Sequence, residues 1–285
     1  MSRAADSTVR QLLQSAAMRL QGVSDEPLLD AQILLAHALG RDRSWLYAWP
    51  EQVPEPTRLS RFQELVDARA GGHPVAHLTG QREFWSLPLR VTEDTLIPRP
   101  ETEQLVEIAL TLALPERARV LDLGTGSGAI ALALARERPA WQLSASDVSS
   151  AALAVARDNA ARLGLSRIDF LAGDWFDAVD PSERFDLIIS NPPYIAAGDR
   201  HLSQGDVRFE PERALVSGND GLDAIRRLAG SAKNHLAQRG WLWLEHGYDQ
   251  AEQVRRLLRQ HGFADIDTRS DLAGHPRHSG ARRAD

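Results

Sequence analysis

Residues 120–130 read VLDLGTGSGAI, a short apolar run that passes through a glycine-rich turn into a segment with helical character. Residues 120–123 are typical of a buried strand, and residues 129–136 are typical of a helix. A strand that passes directly into a helix through glycines is the start of a βαβ unit. This stretch therefore predicts an α/β fold built on a parallel sheet.

The same alternation continues to the end of the chain. Further strands are predicted at residues 142–146, 168–171, 185–190, 241–245 and 264–268, with helices at 150–163, 222–236 and 251–261. Strands that alternate with helices form a mostly parallel, doubly wound sheet. We therefore predict a Rossmann-like α/β domain over residues 98–285.

The chain before residue 98 has a different pattern. Three apolar stripes at helical spacing occupy residues 7–70, and a Gly-Gly-His-Pro break follows at residues 71–74. Residues 84–91 then mix aromatic and branched residues with a proline, which is typical of an edge strand or hairpin. We predict a small helical bundle over residues 1–72 and a hairpin linker over residues 73–97.

Composition excludes several classes of protein. The chain has 285 residues and a formal net charge of -6. This negative charge argues against a protein that binds long stretches of nucleic acid through phosphate contacts. It has no cysteine, so thiolate metal sites and cysteine nucleophiles are excluded, and no metal is expected. No apolar run approaches the length of a membrane span, and residues 1–6 lack the apolar core of a secretory signal. A cytoplasmic location without membrane contact is expected.

The glycine-rich turn is a candidate cofactor site, made of Gly124, Thr125, Gly126, Ser127 and Gly128. Glycines allow the backbone to approach a ligand, and a helix N-terminus presents free N–H groups. An acidic residue at the end of the second strand of such a fold, here Asp147, accepts from ribose hydroxyls. Both features suit either NAD or S-adenosylmethionine, so the turn leaves the cofactor open.

The segment Asn191-Pro192-Pro193-Tyr194 follows the predicted strand at residues 185–190. In an open α/β sheet the ligand binds at the carboxyl ends of the strands. The Asn191 side-chain oxygen and the Pro192 carbonyl are two acceptors on a stiff backbone, and Tyr194 adds a flat ring. This set suits a planar NH2 group, which makes Asn191, Pro192 and Tyr194 candidate catalytic residues and all four residues candidate substrate contacts. A turn that merely ends the strand is the simpler alternative.

Two further observations favour S-adenosylmethionine over NAD. Asp122 precedes the glycines at the strand end, where methyltransferases often carry an acidic residue, and a dehydrogenase has no use for the Asn191 segment. We expect Asn191 to border the cofactor as well as the substrate. Asp174 and Trp175 follow the third strand and could hydrogen-bond and flank an adenine, although a core tryptophan beside a turn acid is an equal alternative.

Several longer sequence blocks resemble the motifs of one known protein family. They read TGxxEFW at residues 79–85, LIPRPETE at 96–103, DLGTGSGAI at 122–130, SNPPYI at 190–195, RFEPExAL at 208–215, DGL at 220–222 and EHG at 245–247. With these blocks the chain resembles the bacterial peptide chain release factor N5-glutamine methyltransferases over most of its length beyond residue 75. His278-Ser279-Gly280 departs from the apolar residues expected near the end of such a chain.

The resemblance implies a reaction. The substrate would be the glutamine of the Gly-Gly-Gln motif in class I release factors, the methyl donor would be S-adenosylmethionine, and the helical first domain would help hold the release factor. An N6-adenine DNA methyltransferase shares the glycine turn and the Asn-Pro-Pro-Tyr segment. Such an enzyme would also need a basic region that reads the target sequence and a cleft for the flipped base. This chain is acidic and has no large insertion that could supply them.

Overall fold

The computed structural model describes residues 7–284, so residues 1–6 of the predicted helical domain and residue 285 lie outside the described part of the chain. The chain divides into two compact units. The first comprises the residues up to Gln81 together with Ser203–Phe209, and the second comprises Arg82–Leu202 and the residues from Glu210 onward. The boundary predicted at residue 72 lies inside the first unit.

The first unit is helical. Its helices are α1 (Val9–Leu20), α2 (Pro27–Leu39), α3 (Arg43–Ala48), α4 (Pro56–Ala70) and α5 (Val75–Thr79). The three predicted stripes correspond to α1, α2 and α4, whose buried faces share one core that includes Leu12, Leu34, Phe62 and Leu65. α3 and α5 have six and five residues, too few for a helical period to be visible in the sequence.

A buried arginine joins the later segment Ser203–Phe209 to these helices. Arg69 in α4 is 6% exposed, and its guanidinium donates to a carboxylate oxygen of Asp30 at 2.7 Å and to one of Asp206 at 2.8 Å. It also donates to the His73 carbonyl oxygen at 3.2 Å. Because a buried cation is costly unless it is paired, these three acceptors are what allow Arg69 to lie in the interior of the unit.

The second unit holds the hairpin, apart from its first residue Gln81, and the α/β domain. The strands are β1 (Gln81–Phe84), β2 (Leu87–Arg90), β3 (Arg119–Leu123), β4 (Gln142–Asp147), β5 (Ile168–Ala172), β6 (Phe185–Ser190), β7 (Leu236–Glu245), β8 (Phe263–Ser270) and β9 (Pro276–Arg283). The helices are α6 (Glu103–Thr111), α7 (Ala129–Glu137), α8 (Ser150–Leu163), α9 (Asp223–Ser231) and α10 (Ala251–Gln260). β1 and β2 form the predicted hairpin, and its two connecting residues, Trp85 and Ser86, both have positive φ, as a type I′ turn requires.

Seven strands form the main sheet in the order β5-β4-β3-β6-β7-β9-β8. The pairs from β5 to β7 are parallel, whereas β9 runs antiparallel to both of its neighbours. Alternate strand residues contribute to two apolar cores, one containing Val120 and Leu187 and the other Leu121 and Ile188. Helices therefore cover both faces, and the predicted doubly wound, Rossmann-like α/β fold with N-terminal helices is confirmed.

The end of the sheet differs from the sequence-based expectation. Residues 264–268 were expected to be the last strand, but they lie in β8, and β9 inserts between β7 and β8. β9 gave no strand signal because its buried centre is His278, Ser279 and Gly280 instead of branched apolar residues. A larger residue does not fit at position 280, because Gly280 pairs with Trp243 and a Cβ there would lie 2.2 Å from the indole.

The predicted helix at residues 222–236 also ends early. α9 stops at Ser231, a 3-10 turn covers Ala232–Asn234, and β7 already begins at Leu236, five residues before the predicted strand. The sequence around the apolar Leu236 is compatible with the end of a helix or the start of a strand. In the structure Leu236 pairs with Phe185 of β6 and belongs to the strand.

The order in which successive strands are added to the sheet reverses at β3. β3 leads through α7 to β4 on one side, while β6 lies on the other side, so the carboxyl ends of β3 and β6 are neighbours at the switch point of the sheet. The Ser190 hydroxyl donates to the Leu123 carbonyl oxygen at 2.6 Å and joins the two strand ends directly. Open α/β sheets bind ligands at such a point.

Replacing Arg69 by methionine should destabilise the first unit by about 1–3 kcal/mol, because the largely buried Asp30 carboxylate would lose its cation, whereas the more exposed Asp206 could be hydrated. Urea unfolding followed by circular dichroism measures the change. The matched control is Arg61→Met, which removes an exposed ion pair with Glu64 and should change stability by less than about 0.5 kcal/mol. Equal effects of the two substitutions would contradict a role for the buried cluster.

Candidate active site

A cavity of about 430 Å³ opens at the carboxyl ends of β3, β4 and β6. This volume is in the range of small-molecule sites. It is lined by most of the residues that the sequence analysis selected: Gly124, Thr125, Gly126, Ser127, Asp147, Asp174, Trp175, Asn191 and Pro193. Gly128, Pro192 and Tyr194 adjoin these residues in the chain but do not line the cavity. The structure thus brings the glycine turn and the Asn-Pro-Pro-Tyr segment to one place.

Two constraints explain Gly124 and Gly128 in this turn: positive backbone φ angles and neighbouring side chains that leave little room for a Cβ. Gly124 has φ +73°, and a Cβ there would lie 3.3 Å from the Trp175 ring. Gly128 has φ +86° where α7 begins, and a Cβ would lie 2.9 Å from Leu132. Both positions favour glycine on conformation alone, and at both a side chain would push against a neighbour. Gly128 therefore shapes the turn, whereas Gly124 holds the backbone against the indole at the cavity wall.

Asp147 ends β4 and faces the glycine turn. One carboxylate oxygen accepts from the Gly126 N–H at 2.9 Å, and the other accepts from the Ser149 N–H at 2.8 Å. Each oxygen keeps a second lone pair, so the side chain can still accept hydrogen bonds from a ligand in the cavity that it lines. Asp147 thus both holds the turn and presents negative charge to the cavity.

Asp122, the last but one residue of β3, is fully buried beneath the turn. The Thr125 hydroxyl donates to one carboxyl oxygen at 2.6 Å. Burial raises the pKa of the Asp122 carboxyl to about 7, an effect that the hydrogen bond from Thr125 only partly offsets. Asp122 is therefore a titratable group near neutral pH, one layer below the cavity.

Asp174 and Trp175 follow β5 at the cavity wall. Asp174 forms an ion pair with Arg227 of α9, a partner that the sequence analysis did not anticipate. Trp175 has φ +56°, an uncommon conformation for a bulky residue, which turns its ring onto Gly124. The indole thus forms part of the wall, beside a carboxylate whose charge is already partnered.

Asn191, directly after β6, belongs to a chain of buried and half-buried polar side chains. Its side-chain NH2 donates to the Thr102 hydroxyl oxygen at 3.0 Å, and the Thr102 hydroxyl donates to a Glu245 carboxylate oxygen at 2.7 Å. The Tyr194 hydroxyl donates to the other Glu245 oxygen at 3.2 Å. Burial and the nearby Glu245 charge raise the pKa of the Tyr194 phenol, so it stays a donor. Thr102 and Glu245, with Asn191 and Tyr194, are called the amide network below.

The sequence pattern predicts no role for Thr102 or Glu245, although both lie in the motif blocks at residues 96–103 and 245–247. One feature of the sequence could have identified Glu245: its carboxylate directly follows the apolar run WLWL in β7. A carboxylate buried at that position requires hydrogen-bond partners. Its partners are distant in sequence, 143 residues away in the case of Thr102 and 51 in the case of Tyr194. Only the folded sheet identifies them.

Two other quoted blocks meet on the same side of the sheet. The side chain of Glu210 is fully buried, accepts from the Ile97 N–H at 3.0 Å and pairs with Arg99. A β-bridge between Ile195 and Val216 closes the chain that follows the Asn-Pro-Pro-Tyr segment. These contacts explain why the PRP and FEP sequences occur together: they join two stretches that line the cavity.

Neither a metal centre nor a membrane-spanning helix is found in residues 7–284. No group of three or more histidine, aspartate or glutamate side chains there is arranged to hold a metal ion. Within the same residues, no helix combines the length and the apolar character that crossing a membrane requires.

Replacing Asp122 by asparagine should remove part of the pH dependence of stability. With a pKa of about 7 in the folded state and about 3.9 when unfolded, only the folded state keeps this proton between those values, so stability falls as pH rises through that window. The wild-type protein should lose up to about 1.4 kcal/mol per pH unit relative to the variant there.

Urea unfolding of both proteins at pH 5 and pH 7 measures this difference. Asp169→Asn, on an exposed position of β5, is the matched control and should parallel the wild-type protein. If the stability of Asp122→Asn changed with pH as the wild-type protein does, Asp122 would have an ordinary pKa.

Two family models match the chain. The PrmC N-terminal domain model matches residues 11–80, and the Methyltransferase small domain model matches residues 102–207. Among solved structures, a methyltransferase from Pyrococcus furiosus superposes with a TM-score of 0.55 at 18% identity over 79% of this chain and 100% of that chain. The catalytic domain of hMettl16 superposes with a TM-score of 0.57 at 16% identity over 78% of this chain and 83% of that chain. At such identities these structures support the fold alone.

Curated relatives are much more similar. The release factor glutamine methyltransferase of Vibrio cholerae is 48% identical over 95% of both chains, and that of Pseudomonas aeruginosa is 51% identical over 87% of this chain and 90% of the relative. The enzyme of that name from Bordetella pertussis is 51% identical over 89% of this chain and 94% of the relative. These matches confirm the resemblance drawn from the motifs, and the chain belongs to the release factor glutamine methyltransferase family.

Proposed function

We propose that this enzyme transfers a methyl group from S-adenosylmethionine to the side-chain amide nitrogen of the glutamine in the Gly-Gly-Gln motif of class I release factors. The observation that supports the proposal is the amide network, because the Asn191 NH2 donates to Thr102 and its side-chain oxygen can then serve as an acceptor, with the Pro192 carbonyl as the proposed second acceptor. Two acceptors match the two N–H groups of a primary amide. The reaction would take place in the cytoplasm, where release factors act.

The cavity residues fit S-adenosylmethionine. Trp175 lines the cavity beside Gly124 and would offer its indole ring to the adenine, and Asp147 would accept from the ribose hydroxyls. The Asp147 carboxylate suits the positive charge of the ligand, and the N–H groups near the start of α7 would donate to an anionic group such as its carboxylate. When bound, S-adenosylmethionine supplies an electrophilic methyl group on a sulfonium.

The protein's own residues would act mainly by positioning. An amide nitrogen is a weak nucleophile because its lone pair is delocalised, so an accurate approach to the methyl group is the main contribution available. The Asn191 oxygen and the Pro192 carbonyl would each accept one amide N–H, and the Tyr194 ring, held by its hydroxyl on Glu245, would pack against the amide plane. Positioning of this kind contributes up to about 7–11 kcal/mol to lowering a barrier. The proton would leave to water after transfer, when the nitrogen is acidic.

The first unit would help hold the release factor. It exposes several large side chains with apolar or aromatic surface, among them Met18, Tyr47 and Trp49, which would be available for contact with a partner protein. A whole release factor would therefore be a better substrate than a short Gly-Gly-Gln peptide.

Mass spectrometry of a class I release factor after incubation with enzyme and S-adenosylmethionine tests the proposal. The expected result is one added methyl group on the Gly-Gly-Gln glutamine, formed faster on the whole factor than on the peptide. Duplex DNA with the same donor tests the alternative N6-adenine activity, which the net charge of -6 disfavours. Methylated adenine with an unmodified release factor would reverse the assignment.

Asp147→Ala should weaken S-adenosylmethionine binding about 10- to 100-fold, because the ribose hydroxyls would lose a charge-assisted acceptor worth about 1.5–3 kcal/mol. Titration calorimetry measures the affinity. The control Asp169→Ala removes an exposed carboxylate from the neighbouring strand β5 and should bind like the wild-type protein. Unchanged affinity in Asp147→Ala would remove Asp147 from the cofactor site.

Asn191→Asp should be nearly as inactive as Asn191→Ala, with at least about a hundredfold loss in kcat. The Thr102 hydroxyl gives its proton to Glu245, so it has none left for a carboxylate oxygen in place of the Asn191 NH2. Steady-state kinetics on a release factor measure the loss, and circular dichroism checks the fold. Asn234→Asp, at an exposed position after α9, is the control. High activity in Asn191→Ala would refute the proposed mechanism.

A further inference from the structure

We propose that Thr102 and Glu245 are positioning residues that set the polarity of the Asn191 amide and, through it, the preference of the site for a carboxamide over a carboxylate. The inference rests on the proposed function, since it concerns how the same site selects glutamine. Neither residue is proposed to touch the reacting atoms.

The direction of the amide network follows from donor counting. Glu245 lies at the carboxyl end of β7, is 1% exposed, and receives one hydroxyl on each carboxylate oxygen. A threonine hydroxyl has a single proton, and Thr102 directs it to Glu245 at 2.7 Å. The Thr102 oxygen is then available to Asn191 only as an acceptor, which orients the Asn191 NH2 toward it at 3.0 Å.

The other neighbours of Glu245 leave this direction intact. His278 lies opposite Glu245 on β9, with its Nε2 at 3.7 Å from a Glu245 oxygen, beyond hydrogen-bond distance. Thr102 itself is 4% exposed, so bulk water does not compete for its hydroxyl. The polarity of the network is therefore set at Glu245 and transmitted through Thr102 to Asn191.

The two ends of an asparagine amide have nearly the same shape, so shape alone does not hold its orientation. Without the Thr102 hydroxyl, the Asn191 amide could rotate by half a turn and present its NH2 to the substrate. With the hydroxyl in place, the Asn191 oxygen and the Pro192 carbonyl are both acceptors, which suits the NH2 of glutamine and opposes glutamate. Thr102 thus influences both turnover and the choice between these two side chains.

The test combines Thr102→Val, Thr102→Ser and the control Thr111→Val. Valine keeps the shape of threonine without the hydroxyl, serine keeps the hydroxyl, and Thr111 at the end of α6 donates only to a backbone carbonyl of its own helix. The measurements are kcat and KM on a release factor, S-adenosylmethionine affinity, thermal unfolding, and inhibition by short Gly-Gly-Gln and Gly-Gly-Glu peptides.

Thr102→Val should lower kcat at least about tenfold with a smaller change in KM and with unchanged donor affinity. Its inhibition by the Gly-Gly-Glu peptide relative to the Gly-Gly-Gln peptide should rise by about tenfold, because a rotated Asn191 amide offers the carboxylate a donor. Thr102→Ser should stay within about threefold of the wild-type protein in both respects, and Thr111→Val should match it. Glu245→Gln should fall between Thr102→Val and the wild-type protein, since an amide supplies one acceptor and one donor.

Wild-type kcat and peptide selectivity in Thr102→Val would overturn the inference. So would a loss of kcat without a change in peptide selectivity, or one accompanied by equal losses in Thr111→Val, since either would indicate a merely structural role. If the wild-type enzyme failed to methylate the release factor, the proposed function would fall, and this inference with it. Methylation by the wild-type enzyme combined with unchanged selectivity in Thr102→Val would refute this inference alone.

Discussion

The adjacency of β3 and β6 is the constraint on which the site depends. Their carboxyl ends are joined by the hydrogen bond from Ser190 to the Leu123 carbonyl, across 67 residues of sequence. The glycine turn begins directly after Leu123, and the Asn-Pro-Pro-Tyr segment begins directly after Ser190. Because both segments leave the same edge of the sheet, a methyl donor held by one would lie next to an amide held by the other. No long-range adjustment of loops is required for the two to meet.

The acidic side chains around this edge each have hydrogen-bond or ion-pair partners within the protein. Asp174 is paired with Arg227, Asp147 accepts from two backbone N–H groups, and Glu245 accepts from two hydroxyls. Such partnered polar clusters are rigid, since each group that moved would leave a partner without its hydrogen bond in a medium of low dielectric. A site that works by orientation gains from this rigidity, because it does not have to reorganise during the reaction.

Much of this architecture could be predicted from the sequence, because it is encoded locally. The predicted limits of α8 and β6 agree with the structure, since each is a periodic or apolar run with clear ends. The position of Asn191 at a strand end followed from the run that precedes it. Local patterns also identified the glycine turn, whose conformation depends on neighbours in sequence.

What the sequence did not predict depends on distant partners. β9 is buried although its centre is polar, because Gly280 receives the Trp243 indole and Ser279 bonds His246. The partnership of Thr102 with Glu245 joins residues 143 positions apart, and that of Asp174 with Arg227 joins residues 53 apart. No window of sequence contains both members of such a pair. Motif blocks named some of these residues, but only contacts in space supplied their roles.

The Arg69 cluster has a consequence for how the protein matures on the ribosome. The helices of the first unit are complete once residue 81 has been synthesised, yet Asp206, one of the two carboxylates around Arg69, lies in a segment made much later. Until that segment emerges, the arginine has Asp30 as its only carboxylate partner. The nascent helices would therefore be held in a looser state, and their final consolidation would wait for residues encoded after the Asn-Pro-Pro-Tyr segment. The first unit is therefore complete only after residues 82–202 of the second unit have been synthesised.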